Sequence, residues 1–178
     1  MILDKQLLFF KKLMNKKDFT FILPAAGKSN RFKTKKSKIF YNYKNKVLIS
    51  HVIDKCLNFT KNIIIISNKK NLKELKTNLK QYKNIKFKIL IQKQQKGMGH
   101  AINIAMDEVR SKYCSVIWPD QIYLSIITIK RTIDFFIKKK SILCFPVYKK
   151  KLPYAYILRD KSKNFKDIIQ TRETNKKV

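Results

Sequence analysis

Residues 19–38, FTFILPAAGKSNRFKTKKSK, run from a short β-prone stretch into a loop of small and then cationic residues. Gly27-Lys28-Ser29 has the letters that end a P-loop, in which a lysine and a hydroxyl hold a nucleoside triphosphate. A P-loop also requires a glycine five residues earlier, because the backbone must curl until successive N–H groups face the phosphates. That position is Ile22, inside the β-prone run. The stretch is therefore read as a strand over residues 19–23, stopped at Pro24 and followed by a different kind of phosphate loop. Ala25, Ala26, Gly27, Ser29 and Asn30 let the backbone approach an anion closely, and their N–H groups donate to it. Lys28 belongs to the same loop, although its side chain can equally face solvent. Arg31, and Lys38 seven residues further on, place two cations at a separation suited to the two ends of a polyphosphate.

Beyond the loop, apolar runs alternate with helical patterns. Residues 62–67, NIIIIS, suit a strand buried on both faces, and residues 47–57 before them carry apolar side chains at helical spacing. The pattern continues as helix over 72–82, strand over 87–92, helix over 100–109, strand over 113–118, helix over 126–137 and strand over 141–147. This order predicts an α/β fold with a mostly parallel sheet covered by helices on both faces. One more strand is expected near 165–171. Residues 1–18 read as an amphipathic helix or arm and 19–178 as one domain, with no repeat or Pro/Gly linker to divide it. Sheets of this kind bind ligands beyond the C-terminal ends of their strands. The loops to search are therefore 25–38, 92–100 and 119–123.

Those three loops carry a resemblance. Ala25-Ala26-Gly27 with Arg31 and Lys38 resembles the AAGxGxR…PK signature of the nucleoside-diphosphate-sugar pyrophosphorylases, a family of nucleotidyltransferases. Residues 91–101, IQKQQKGMGHA, are similar to the Q-x-x-Q-x-G-T-G-H-A segment of the bacterial N-acetylglucosamine-1-phosphate uridylyltransferases. The resemblance implies nucleobase contacts from Gln92, Gln95, Gly97 and Met98, with methionine standing where the family has threonine. Residues 116–121, VIWPDQ, resemble the family's strand-end G-D segment, which makes Asp120 the implied ligand of a catalytic Mg²⁺; Pro119 replaces the glycine. A hard oxygen donor at a strand end suits an ion that bridges phosphates. Tyr154, Ala155 and Gln170 fall where the family contacts the sugar, Ala155 in place of a glycine and Gln170 in place of a glutamate. The resemblance implies a Rossmann-like three-layer α/β/α sandwich. It also implies transfer of a nucleotidyl group from an NTP to a sugar 1-phosphate, with release of pyrophosphate. Arg31 would hold the triphosphate and Lys38 the attacking and α-phosphates. Family domains continue further and supply a second metal ligand, so the chain is expected to be C-terminally incomplete.

Composition limits the alternatives. With 44% apolar and 12% aromatic residues the chain can build a core. Its 42 Lys+Arg against 11 Asp+Glu give a formal net charge of +31. The cations are mostly lysine and scattered through every segment, which reads as a solvated surface rather than a nucleic-acid patch, since base and phosphate-fork recognition favours arginine. A non-catalytic polyanion-binding protein or an inactive remnant remains the alternative class. Within the same fold, cytidylyl or guanylyl transfer to an alditol phosphate, phosphocholine or molybdopterin also stays open. Cys56, Cys114 and Cys144 are far apart and form no CxxC pair, so they are read as core thiols of a reducing compartment. No apolar run approaches the roughly 20 residues of a membrane span, and residues 1–18 lack a signal-peptide pattern. The expected location is cytoplasmic. His100 is read as a packing or capping residue at a helix start, His51 as a helix-face residue, and Phe40, Tyr41 and Tyr43 as packing groups. As an alternative to metal binding, Asp120 could cap a helix beginning at Ile122.

Overall fold

The computed structural model describes residues 18–27, 36–151 and 153–170. The chain divides into two compact units, one running to Ile127 and the other beginning at Thr128. The expected N-terminal arm lies outside the described residues, apart from Asp18.

The first unit is built on strand β1 (Phe19–Pro24). A short 3-10 turn (Lys38–Phe40) and a two-residue hairpin, β2 (Asn42–Tyr43) with β3 (Lys46–Val47), lead into helix α1 (Leu48–Leu57). Then come β4 (Ile63–Ser67), α2 (Lys69–Leu79), β5 (Lys88–Ile91), α3 (Met98–Met106) and β6 (Tyr113–Val116). The four longer strands form one parallel sheet in the order β5-β4-β1-β6. The chain steps outward from β1 through β4 to β5, then returns through α3 to place β6 on the other side of β1. The sheet therefore has its switch point at β1, where a crevice opens beyond the strand ends.

Burial explains why these segments became strands. Every residue of β4 is buried, as only an interior strand covered on both faces allows, and its isoleucines favour the extended backbone. In β1 the two faces separate by alternation. Ile22 joins Ile64, Ile66, Ala101 and Ala105 in a cluster under α3. Phe21, its neighbour in sequence, points the other way and meets the ring of Phe59 at 6.0 Å between centroids. The small side chains of Ala101 and Ala105 let α3 lie close to the sheet. The C-terminal turn of α2 is tied to α1 by the Tyr82 hydroxyl, which donates to Ser50 O at 3.2 Å and to Asp54 Oδ1 at 2.8 Å. Burial, reinforced by that carboxylate, pushes the Tyr82 phenol well above its ordinary range.

The second unit holds helix α4 (Ile126–Lys138), whose first two residues precede the division, and an antiparallel hairpin of β7 (Ala155–Arg159) with β8 (Phe165–Gln170). One expectation needs correction here. Residues 141–147 were expected to be a strand and are not: no ladder pairs with them among the described residues, and Ile142, Leu143 and Val147 are largely exposed. An apolar run specifies burial rather than extended pairing, and a strand forms only where a neighbour accepts its hydrogen bonds. The expectation that all three cysteines are core also holds only in part. Cys56 is buried, with its thiol pushed up to about 12 mainly by that burial, whereas Cys114 and Cys144 are partly exposed.

Because Ile65 is fully buried at the centre of the sheet, Ile65→Ala is expected to lower unfolding stability by about 2–5 kcal/mol. Ile142→Ala, at a fully exposed position, should change it by no more than about 0.5 kcal/mol. Urea denaturation midpoints of the two variants check both.

Candidate functional site

The loop after β1 is held by hydrogen bonds from three directions. Ala25 N–H donates to Ile66 O at 2.7 Å, prolonging the β1–β4 ladder beyond the strand end. Ala25 O accepts from Asn71 Nδ2 at 3.3 Å, and Ala26 O accepts from both Asn68 Nδ2 at 2.9 Å and Gln95 Nε2 at 2.7 Å. Asn68 also caps α2, its Oδ1 accepting from Asn71 N–H at 2.8 Å. Ala25 and Ala26 are buried, and a larger side chain at Ala26 would collide with the cluster under α3.

The second loop follows β5. Gln92 N–H donates to Ser67 O at 2.8 Å, and the side chain turns inward, its Nε2 lying 3.0 Å from both Gly97 O and His100 Nδ1. Gly97 adopts φ +90° at the start of α3, a conformation that side chains strongly disfavour, although a Cβ there would meet no atom within 4 Å. The glycine is needed for its backbone angle and not for space. Met98 opens α3 with its side chain largely in solvent. His100 steadies Gln92, which agrees with a packing role.

The third loop follows β6. Ile117 N–H donates to Ile22 O at 3.1 Å, so this loop leaves the sheet beside that of β1. Its turns are closed by Gln121 N–H to Trp118 O at 3.0 Å and Ile122 N–H to Asp120 O at 2.9 Å. No helix begins at Ile122; α4 starts four residues later, so Asp120 is not a helix cap. Lys55 of α1 donates to Ile122 O, and partial burial holds its ammonium below the usual lysine range. Tyr43 and Tyr123 meet edge to face at 6.2 Å, with His51 Nε2 within 2.7 Å of Tyr43 O.

Lys38 and Asp120 come together across the switch point. Lys38 opens the 3-10 turn whose Ile39 and Phe40 are buried, so a hydrophobic anchor fixes its backbone. Its Nζ lies 2.5 Å from Asp120 Oδ2, and both side chains remain about one-third exposed. Residues 82 apart in sequence thus share one contact, at the place where the fold would present a ligand.

Of the other expected site residues, Lys28, Ser29, Asn30 and Arg31 lie outside the described residues. Tyr154, Ala155 and Gln170 do assemble within the second unit. Ala155 stands opposite Gln170 in the hairpin register, and the Tyr154 hydroxyl donates to Gln170 Oε1 at 3.2 Å. Sequence reasoning missed Asn68, Asn71 and Lys55. An asparagine after a strand signals a helix cap, but nothing local shows that its amide nitrogen reaches Ala26, 42 residues away.

The model of the MobA-like NTP transferase domain matches residues 21–176. The chain belongs to that family. The bifunctional protein GlmU of Caldicellulosiruptor saccharolyticus is 29% identical over 167 residues, covering 90% of this chain and 35% of its own length. The chain thus spans about a third of the curated relatives it matches. A putative glucose-1-phosphate thymidylyltransferase from Bacillus anthracis shares the fold with a TM-score of 0.53 and 23% identity, over 57% of this chain and 44% of that one. The manganese complex of Rv0371c from Mycobacterium tuberculosis H37Rv shares it with a TM-score of 0.52 and 14% identity, over 66% and 59%. The fold is the Rossmann-like α/β type expected from the order of elements.

The donor set also bears on a metal. No group of three or more His, Cys, Asp or Glu that could cage an ion occurs among the described residues. One exposed carboxylate, Asp120, suits Mg²⁺ of the kind held by one or two carboxylates and completed by substrate phosphates and water. It does not suit a closed zinc or calcium site.

Replacing Asn68 by alanine removes a helix cap and one of the two donors to Ala26 O. Asn68→Ala is therefore expected to lower stability by about 0.5–2 kcal/mol, read as a shifted urea midpoint.

Proposed function

We propose that the chain transfers a nucleotidyl group from an NTP to a sugar 1-phosphate. In this reading a phosphate oxygen of the acceptor attacks the α-phosphorus of the NTP. The new P–O bond forms as the bond to the β-phosphate oxygen breaks, and pyrophosphate leaves with that electron pair. The meeting of Lys38 with Asp120 carries the reading, because it puts a cation and a hard oxygen donor beyond β1 and β6, beside the phosphate loop. Membership of an NTP transferase family and the sugar-phosphate nucleotidyltransferase among the fold relatives support it.

The role of each group follows from its charge. The N–H groups of the Ala25–Gly27 loop would donate to phosphate oxygens, with the carbonyls of Ala25 and Ala26 already engaged on the protein side. Lys38 would offset charge on the attacking and α-phosphates, and Arg31 would hold the triphosphate and the departing pyrophosphate. Asp120 would hold Mg²⁺, which when bound bridges phosphate oxygens and lowers the charge on the leaving group. Tyr154, Ala155 and Gln170 would contact the sugar. Positioning and cations carry such a transfer without a protein nucleophile.

Pyrophosphate release, followed with Mg²⁺, each NTP and a set of sugar 1-phosphates, tests this. Lys38→Ala, Asp120→Ala and Arg31→Ala are each expected to lower kcat by about 100-fold or more, with the urea midpoint little changed. Parent-like turnover by Asp120→Ala would remove the assignment.

A further inference from the structure

Four side-chain amides converge on a cavity of about 430 Å³ beside the phosphate loop, lined by Gly27, Asn68, Asn71, Gln92 and Gln95 together with flanking lysines. Each amide turns its nitrogen to a backbone carbonyl: Asn71 to Ala25 O, Asn68 and Gln95 to Ala26 O, and Gln92 to Gly97 O. A carbonyl oxygen can only accept, so these contacts fix which end of each amide is nitrogen. The second contact of Gln92 Nε2, with His100 Nδ1, engages its other hydrogen when that ring nitrogen accepts.

The oxygen ends are used differently. Asn68 Oδ1 caps α2. The oxygens of Asn71 and Gln92 accept nothing from the described residues, although the two side chains belong to residues only 5% and 4% exposed. Among the described residues no fully buried side-chain polar atom lacks a partner, so both oxygens reach accessible surface, and both residues line the cavity. Two nearly buried amide oxygens without a donor describe a ligand that brings N–H groups.

We propose that this cavity takes the nucleobase and that Asn71, with Gln92, selects bases whose edge carries an amino group, namely guanine, cytosine or adenine, over uracil and thymine. The inference rests on the nucleotidyl-transfer reading and deepens it. Uracil and thymine present one N–H between two carbonyls, so their edge sets carbonyl oxygens against amide oxygens and leaves lone pairs opposed. A site built to accept hydrogen bonds discriminates strongly against an analogue lacking the donor, because its own polar groups are then left buried and unpaired. Asn71 lies in none of the sequence motifs; its position on the first turn of α2 brings it to the cavity.

Equilibrium binding of GTP, CTP, ATP, UTP and dTTP to the full chain, by calorimetry, provides the test. One of the three amino-bearing nucleotides is expected to bind at least about tenfold more tightly than UTP and dTTP. Asn71→Leu should weaken that nucleotide by about tenfold while leaving UTP within about twofold. Asn71→Ser, which shortens the side chain with less change in polarity, serves if the leucine variant misfolds. Tightest binding by UTP or dTTP overturns the inference alone, and so does an equal loss for all five nucleotides in a folded Asn71 variant, which would mark a merely structural residue. Binding of none of the five overturns the nucleotidyl-transfer reading itself.

Discussion

The structure depends on β1 being an interior parallel strand. Its register with β4 on one side and β6 on the other fixes where three chain segments leave the sheet. Phe21 pairs with both Ile63 and Ser115, so all three strands run out in step, and the loops at Ala25, Asn68 and Ile117 emerge side by side. A slip of one residue in β1 would reverse its faces, placing Phe21 under α3 and Ile22 against Phe59. The aromatic and aliphatic sides of the strand differ in volume, so packing forbids that slip. The position of the site follows from packing several residues away from it.

Hydrogen bonding continues what the ladder begins. Beyond Pro24 no strand remains to satisfy the backbone, yet Ala25 and Ala26 are buried, and their carbonyls require partners. Asparagine and glutamine amides provide them, which explains the polar residues Asn68, Asn71 and Gln92 at the edge of an otherwise apolar core. An amide is bifunctional: once its nitrogen is committed to the backbone, its oxygen faces elsewhere. The cavity thereby acquires a hydrogen-bonding polarity as a by-product of holding the loop. The Lys38–Asp120 pair is a second consequence of the same arrangement, since the buried Ile39 and Phe40 bring the end of the first long loop back against the third.

The sequence by itself determined the element order, the end of β1 at Pro24 and the three loops that matter, because hydrophobic periodicity and glycine conformation are local properties. Gly97 illustrates this: its positive φ was needed for a turn already marked by its neighbours. Residues 141–147 mark the limit, since an apolar run does not say whether a partner strand exists. Only tertiary structure decided that Lys38 meets Asp120, that Gln95 binds the carbonyl of Ala26 and that Asn71 reaches the cavity. Each joins residues distant in sequence, through a ladder register and helix placements set by the whole core. Contacts of that kind have no signature in any short window of the chain.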